Sequence, residues 1–319
     1  MSAGRRSAVQ WSGRDDGSGD AYARWHSTVR LGWPPEPAVA PDAAVIGFCS
    51  DEGVRRNHGR VGAAAGPASI REMLAQLAAP RRGDGTPAEL VDLGDIVVEG
   101  EDLESAQALL GATVREVVDA GALAVVLGGG HDVAFGSYLG LAACERSRTG
   151  ERQGVFNLDA HLDLRRAEIP TSGTPFLQMF LHHRGRGAFR YAAAGISIAN
   201  NTRELFDTAE SLGVSILFDD ECTPPLASAF VREFLAEVDL VHLTIDLDGF
   251  PAAVAPGVSA PAGFGIDVSV ARDMCRAVAA SGKLAVLDVA ELNPRFDVDG
   301  RTARLAARMV DDILRACLR

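Results

Sequence analysis

The chain has 319 residues, 47% of them hydrophobic, and its 43 acidic and 31 basic side chains give a formal net charge of −12. This length is enough for a large core, and α/β domains of this size often stand alone. The acidic balance argues against a nucleic-acid partner, which would need a basic face, and no apolar run approaches the ~20 residues of a membrane span.

Residues 1–41 are rich in Gly, Pro, Ser and charge, and we expect them to form an arm that packs over a domain. Its candidate anchors are Trp11, Trp25 and Trp33. Arg5 and Arg6 are not followed by an apolar segment, so no secretory signal is expected. The cysteines are odd in number and scattered, which is typical of reduced, buried residues in a cytoplasmic protein. They are Cys49, Cys144, Cys222, Cys275 and Cys317.

From Ala43 onward, short β-type runs alternate with helical patterns. Eight runs predict strands, at 44–49, 90–93, 124–127, 155–158, 191–196, 215–218, 241–247 and 284–289. Helices are predicted between them, among them 102–120, 201–212 and 268–280. The last predicted helix, 301–318, carries one apolar stripe at a spacing of four, formed by Leu305, Met309, Ile313 and Cys317. The turn-rich segment 80–87 is expected to be a connection, so residues 42–319 are predicted to form a single catalytic domain.

Continuously apolar strands separated by helices imply a parallel sheet covered on both faces. Eight such strands suit either a closed (β/α)₈ barrel or an open doubly wound sheet, and periodicity alone does not separate the two. In both folds the active site gathers at the carboxyl ends of the strands. Polar residues that follow a predicted strand are therefore the first candidates for function.

One such group is Asp159, His161 and Asp163, which follow the predicted strand 155–158. Side chains of an extended segment alternate, so these three fall on one face. Carboxylates held this close raise each other's pKa, and burial raises it further, unless a cation intervenes. Taken alone, such a group is more often a polar turn in which each residue is solvated separately than a metal site.

Two other strand ends carry the same residue types. His131 follows the strand 124–127, and Asp246 and Asp248 lie at and after the strand 241–247. Together with the first group they supply four carboxylates and two imidazoles. Two divalent cations would balance the four negative charges of the carboxylates. Oxygen ligands with a minority of imidazole and no cysteine favour manganese over zinc. The pattern predicts a two-metal hydrolytic site.

The glycines before His131, at 128–130, could be mistaken for a phosphate loop. They lack the Gly-Lys-Ser/Thr ending whose lysine and hydroxyl serve nucleotide phosphates and magnesium. We expect them instead to let the backbone turn tightly and bring His131 close to the metals.

The motifs GGGH (128–131), DAHLD (159–163) and DLD (246–248), in this order, resemble those of the ureohydrolases, the family of arginase, agmatinase and formimidoylglutamase. The resemblance runs from about Trp11 to Arg308. Within the family, the formimidoylglutamases of histidine degradation are the most similar group. The stretches that resemble them are 47–57, 59–63, 171–176, 256–261, 290–294 and 302–304, together with parts of the arm.

The resemblance implies an open, doubly wound α/β/α sheet of eight parallel strands, two Mn²⁺ ions, a small-molecule substrate and a homo-oligomer. It implies that two aspartates, Asp159 and Asp246, bridge the two ions. The remaining ligands of one ion would be His131 and Asp163, and those of the other His161 and Asp248.

The implied activity is hydrolysis of N-formimidoyl-L-glutamate to L-glutamate and formamide. Asp163 would pass a proton to the departing amine, and Glu291 would hold the amidine nitrogens by charge-assisted hydrogen bonds. Arginases and agmatinases have a histidine where Ser172 stands, and serine does not carry protons at neutral pH. That departure argues against arginine or agmatine as substrate, and Ser172 becomes a candidate for substrate contact.

Arg165 is the main candidate for a substrate carboxylate, since a guanidinium fork binds one bidentately. Arg56 and Arg60 are further candidates, and a solvated surface charge is the alternative for all three. The remaining histidines are expected to be structural or surface residues: His26, His58, His182, His183 and His242. Two other functions stay open, a different ureohydrolase and a metal-binding pseudoenzyme that senses a ligand without turnover.

Overall fold

The computed structural model describes residues 4–6, 10–33 and 40–319. Within them one sheet contains ten strands, which are β1 (Gly4–Arg6), β2 (Arg30–Leu31), β3 (Ala43–Cys49), β4 (Leu90–Val97), β5 (Leu123–Leu127), β6 (Gln153–Leu158), β7 (Phe189–Ile196), β8 (Ser215–Phe218), β9 (Leu240–Asp246) and β10 (Leu284–Ala290). The strands lie in the order β1-β4-β3-β5-β10-β9-β6-β7-β8, and β2 also pairs with β4.

Eleven α-helices cover this sheet within the same residues. They are α1 (Trp25–Thr28), α2 (Glu52–Arg56), α3 (Gly66–Ala75), α4 (Leu103–Asp119), α5 (Val133–Ala143), α6 (Glu145–Arg148), α7 (Pro175–His183), α8 (Arg203–Leu212), α9 (Pro224–Glu237), α10 (Val268–Ala280) and α11 (Arg301–Cys317). Helices α3, α9, α10 and α11 pack on one face, and α4, α5, α7 and α8 pack on the other.

The eight predicted strands are confirmed as β3 to β10, all parallel to one another. The sheet is open and doubly wound, so the barrel alternative is excluded. The sheet as a whole has two strands more than the eight predicted, because two short strands extend its edge at β4. β1 pairs antiparallel with residues 95–97, and β2 pairs parallel with residues 91–92. At three and two residues, neither is long enough to show a periodic pattern.

Strand β4 continues to Val97, four residues past its predicted end, and it carries Asp92 and Asp95. Arg71 compensates both carboxylates, with its Nε 2.8 Å from Asp92 Oδ2 and its Nη1 2.6 Å from Asp95 Oδ1. A partner 21 residues away in sequence therefore allows acidic residues in a buried strand.

The apolar stripe predicted for α11 is only partly correct. Met309 and Ile313 are buried, but Leu305 is half-buried and Cys317 is exposed. Because an α-helix has 3.6 residues per turn, a spacing of four drifts by about 40° at each step and leaves the core. The other buried apolar residues of α11 recur at spacings of three and four, at Ala303, Ala306, Ala307, Val310 and Leu314.

All five cysteines are free thiols; Cys144 and Cys275 are buried as expected, while Cys49 and Cys222 are half-buried.

The described part of the arm is attached through tryptophans. Trp25 is fully buried, and its indole N–H donates to Asp311 Oδ1 on α11 at 2.9 Å. Trp11 stacks on Trp25 with ring centroids 6.1 Å apart, and Trp33 packs half-buried against the opposite face. In the part of the chain that is described, no helix is both long and apolar enough to cross a bilayer.

Candidate metal centre

The candidate site lies where four neighbouring strands end. In the order β5-β10-β9-β6, His131 follows β5, Glu291 follows β10, Asp246 ends β9 and Asp159 follows β6. Because these strands are parallel, their carboxyl ends meet at one edge of the sheet. Residues from distant parts of the sequence therefore converge on one pocket.

The connection from β5 to His131 depends on close backbone packing. A Cβ atom on Gly129 would overlap the carbonyl oxygen of Ser50, so glycine is required here by the close approach of the two backbones rather than by a left-handed turn. The His131 amide then donates to Glu291 Oε1 at 2.9 Å. Glu291 has φ of 69° and Asp163 has φ of 47°, left-handed conformations that cost energy in residues other than glycine. Both side chains line the site, where such strain commonly serves function.

A first cluster surrounds the Nδ1 atom of His131. This atom lies 3.1 Å from Oδ2 of each of three aspartates, Asp159, Asp163 and Asp246. All four side chains are buried, and they could hold one metal ion together.

A second cluster consists of Asp159, His161 and Asp248. His161 Nδ1 is 3.5 Å from Asp159 Oδ1 and 3.2 Å from Asp248 Oδ2. Asp159 thus directs one oxygen to each cluster, as expected of a bridging ligand. Asp246 belongs to the first cluster only, and its Oδ1 accepts from the Asp248 amide at 2.8 Å. The bridging role of Asp246 stays a prediction.

The protein alone does not balance the charges of these clusters. Burial raises the pKa of Asp246 well above its ordinary value, and the charges of Asp248 and Asp159 raise it further. The pKa values of Asp163 and Asp248 are also raised, again chiefly by burial. The charge of Asp248 raises the pKa of His161 to about 12, although burial opposes this shift. In the absence of a metal ion, the charge of Asp248 therefore favours the protonated form of His161, while burial disfavours the charged forms of the carboxylates.

The donor set fits two divalent cations. Four carboxylates and two imidazoles lie within two overlapping clusters, and no cysteine belongs to either. Buried like charges are stable only when they are paired or coordinate metal. Oxygen-rich sites of this kind favour manganese or magnesium, and imidazole favours manganese of the two.

Glu291 faces the same cleft and is buried. Burial raises its pKa to about 8, with a further contribution from the charge of Asp248. Its Oε2 atom has no hydrogen-bond partner among the described residues. An unpartnered carboxylate oxygen with a raised pKa is suited to receive a cationic N–H group from a ligand.

The mouth of the cleft contains two of the predicted substrate residues, Arg165 and Ser172. Arg165 is exposed, and its Nη1 donates to Asn57 Oδ1 at 2.7 Å. No ion pair within the described chain involves Arg165, so its positive charge is available to a ligand. Sequence reasoning did not single out the other residues that line the mouth, although all lie in stretches that resemble the formimidoylglutamases. They are Asn57, Gly59, Ser259 and Ala260.

Arg56 and Arg60 do not line this cleft. Arg56 is 12% exposed and pairs with Glu52 and Glu104, at 2.8 Å and 2.6 Å. Arg60 donates to the carbonyl oxygens of Val258 and Ser259 and covers the ring of Phe296 at 3.9 Å. Both guanidinium groups are used by the protein itself, which the sequence did not reveal because most of these partners are distant along the chain.

Four of the remaining histidines have structural contacts, and one of them, His182, meets the ring of Tyr138 edge to face with ring centroids 5.6 Å apart. His183 Nδ1 lies 3.0 Å from the Tyr138 hydroxyl, and His242 Nε2 lies 2.6 Å from Asp288 Oδ2 in the interior. His26 Nε2 lies 3.2 Å from the carbonyl oxygen of Arg14 in the arm. His58 is exposed and His182 is half-buried.

Comparison with known proteins agrees with this arrangement. The model of the arginase family matches residues 41–315. The chain is 53% identical to a formimidoylglutamase of Nocardia farcinica over 97% of both chains, and 48% identical to one of Ralstonia nicotianae over 94% of this chain and 93% of that protein. A crystal structure of Trypanosoma cruzi formiminoglutamase with two Mn²⁺ ions matches with a TM-score of 0.78 and 26% identity, covering 87% of this chain and 94% of that one. The chain belongs to the arginase family.

Proposed function

We propose that this protein is a manganese-dependent hydrolase that converts N-formimidoyl-L-glutamate and water to L-glutamate and formamide. Two overlapping clusters of metal-binding side chains face Glu291 within one cleft, and this observation supports the hydrolytic chemistry. Relatives named formimidoylglutamase, up to 53% identical over nearly the whole chain, support the substrate.

The residues would hold one Mn²⁺ ion through His131, Asp159, Asp163 and Asp246, and the other chiefly through Asp159, His161 and Asp248. When bound, a pair of such ions lowers the pKa of water and favours its ionised form as a nucleophile. The water oxygen forms a bond to the formimidoyl carbon, and the bond from that carbon to the glutamate nitrogen breaks.

Asp163 would move the proton. Its side chain is 11% exposed, and it lines the cleft beside the first cluster. A carboxylate here accepts a proton from water and delivers it to the departing amine nitrogen. Ser172, which also lines the cleft, has a hydroxyl that does not ionise at neutral pH.

Glu291 would orient the reacting carbon. The formimidoyl group is an amidine whose N–H groups donate hydrogen bonds, and Glu291 Oε2 is free among the described residues to accept one. A charge-assisted bond is about twice as strong as a neutral one. It also restores to Glu291 the ionised state that burial disfavours.

Arg165 would select the acidic part of the substrate. The glutamate moiety carries two carboxylates, and Arg165 is a cation at the mouth without an acidic partner in the described chain. Asn57 holds the guanidinium by one Nη1 bond. The remaining donors of the planar fork can bind a carboxylate.

A substrate panel with manganese-loaded protein tests the proposal. N-Formimidoyl-L-glutamate, L-arginine and agmatine are supplied separately, and release of glutamate, ornithine and putrescine is measured. We expect rapid glutamate release and almost no reaction with the two guanidines. Faster hydrolysis of either guanidine would overturn the substrate assignment.

A further inference from the structure

A row of buried polar side chains lies behind His131, on the side away from the two clusters. Thr244 and His242 belong to β9 and Asp288 to β10, and each is 0% exposed. Thr244 and Asp288 are register partners on these neighbouring strands. Alternation along β9 places His242 and Thr244 on the same face as the candidate ligand Asp246.

His131 contacts this row through one ring nitrogen and the aspartates through the other. Its Nε2 lies 3.0 Å from Thr244 Oγ1, whereas its Nδ1 lies 3.1 Å from each of three aspartate oxygens. Asp288 is fixed in turn by His242, whose Nε2 lies 2.6 Å from Asp288 Oδ2. Burial raises the pKa of Asp288, but His242 and the Thr244 hydroxyl outweigh that effect and lower it.

The hydrogen atoms of this row can be assigned in one consistent order. A neutral imidazole carries one N–H group and one lone pair, and only the lone pair binds a metal. If Nδ1 is to bind, Nε2 must carry the hydrogen and needs an acceptor, which Thr244 Oγ1 provides. The threonine hydroxyl must then direct its own hydrogen elsewhere, and the Asp288 carboxylate beside it is an acceptor.

We propose that Thr244, Asp288 and His242 form a positioning chain that holds His131 with Nδ1 directed to the first metal ion. Thr244 makes the contact with His131, Asp288 orients the Thr244 hydroxyl, and His242 holds Asp288. None of the three touches the substrate, so each acts through His131. The inference rests on the proposed metal centre, but it does not depend on which amidine is hydrolysed.

The composition of β9 supports a specific role for the hydroxyl. Its other face consists of Val241, Leu243 and Ile245, all fully buried. Valine has nearly the shape of threonine and needs no partner in such a strand. A buried aspartate and histidine would also be costly if they served only to fill space.

The positioning chain is tested by isothermal titration calorimetry, in which MnCl₂ is added to metal-free protein. Thr244→Val removes the acceptor while preserving shape, and Thr244→Ser keeps the hydroxyl. Outer partners of metal-binding histidines commonly contribute about 10- to 100-fold to metal affinity. We therefore expect Thr244→Val to weaken Mn²⁺ binding at the first cluster by that factor, and Thr244→Ser to stay within about threefold of wild type.

Thr113→Val is the matched control, because Thr113 is a buried threonine whose hydroxyl donates to the Leu109 carbonyl within α4 at 3.0 Å. We expect it to lower the thermal midpoint of metal-free protein about as much as Thr244→Val, without changing Mn²⁺ affinity. In a His131→Asn background, Thr244→Val should weaken Mn²⁺ binding no further, because the chain acts only through that ring. Should Thr244→Val fail to fold, Thr244→Ala tests the same contact.

Wild-type Mn²⁺ affinity in Thr244→Val, or equal losses in the Val and Ser variants, would overturn the positioning chain. A full additional loss in the His131→Asn background would do the same. Because the titration uses only Mn²⁺, a wild-type protein that binds both ions but hydrolyses another amidine would refute the proposed substrate and leave this inference intact.

Discussion

Asp159 shows how much a single residue of this site could be predicted from sequence. Its position after an apolar run, with His161 and Asp163 at period-two spacing, predicted convergence at a strand end, and the structure places all three in the clusters. The left-handed backbone of Asp163 and Glu291 could not be predicted, since it depends on contacts with other strand ends. The lack of an acidic partner for Arg165 among the described residues could not be predicted either, since it requires knowing where every nearby acid lies.

Asp163→Asn tests the proton-transfer role. The amide preserves volume but loses the charge that binds metal and the basicity that accepts a proton. We expect a folded protein whose kcat falls by about 10²- to 10⁴-fold, the usual contribution of a general acid or base. Circular dichroism and metal analysis accompany the kinetics. A near-normal rate with both metals bound would show that another group transfers the proton.

Arg165→Ala tests recognition of the substrate carboxylate. Loss of a charge-assisted bond costs roughly 1.5–3 kcal/mol, or about 10- to 150-fold. We expect it chiefly as raised KM, because the contact is the same in ground and transition states. Arg166→Ala, which removes the neighbouring exposed arginine, is the control and should change KM less than about threefold. If both substitutions raised KM equally, the rise would reflect the overall positive charge near the cleft and not a specific contact of Arg165.

At the scale of elements, the sequence predicted what depends on local pattern and missed what depends on pairing. Strands β3 to β10 have apolar runs, and all were predicted. Strands β1 and β2 exist because the edge of β4 offers unpaired backbone groups, and nothing in their own residues indicates this. In the same way, the sequence did not reveal that Arg56 is paired within the protein, because its partner Glu104, on α4, lies 48 residues away.

Trp25→Ala tests how strongly the arm is attached to the rest of the chain. The indole is fully buried and donates to Asp311 on α11. Truncation of a buried tryptophan costs about 3–5 kcal/mol, and we expect that loss in the free energy of unfolding measured with urea. Tyr22→Ala, at a side chain that is 52% exposed, should change it by less than about 0.5 kcal/mol. A loss below 1 kcal/mol for Trp25→Ala would mean that the arm contributes little to the folded state.

For the molecule as a whole, the buried carboxylates of the metal centre destabilise the folded state until cations bind. Burial disfavours the charged forms of Asp163, Asp246 and Asp248, and all three pKa values are raised. The sheet brings these groups together because four parallel strands end at one edge, so the same topology that creates the site also creates its repulsion. Divalent cations relieve that repulsion in the folded state only.

Mn²⁺ should therefore stabilise the protein as well as activate it. A ligand at 100 times its Kd stabilises the folded state by about 2.7 kcal/mol per site. We expect chelation to lower the thermal midpoint and abolish activity, and MnCl₂ to restore both. Asp163→Asn, which removes one ligand charge, should show a smaller midpoint rise with MnCl₂ than wild type. Full activity in fully metal-free protein would refute the two-metal centre.

The most direct test of the central claim is the ratio of kcat/KM for N-formimidoyl-L-glutamate to that for agmatine and for L-arginine, measured with manganese-loaded wild-type protein. Ser172 replaces the histidine of the arginases and agmatinases, and Arg165 offers a cation that a dicarboxylate needs and a guanidinium substrate does not. We expect both ratios to exceed about 10³, since the site favours a dianionic substrate and lacks that histidine. A ratio below one for either guanidine would contradict the assignment, even if the protein contained two Mn²⁺ ions.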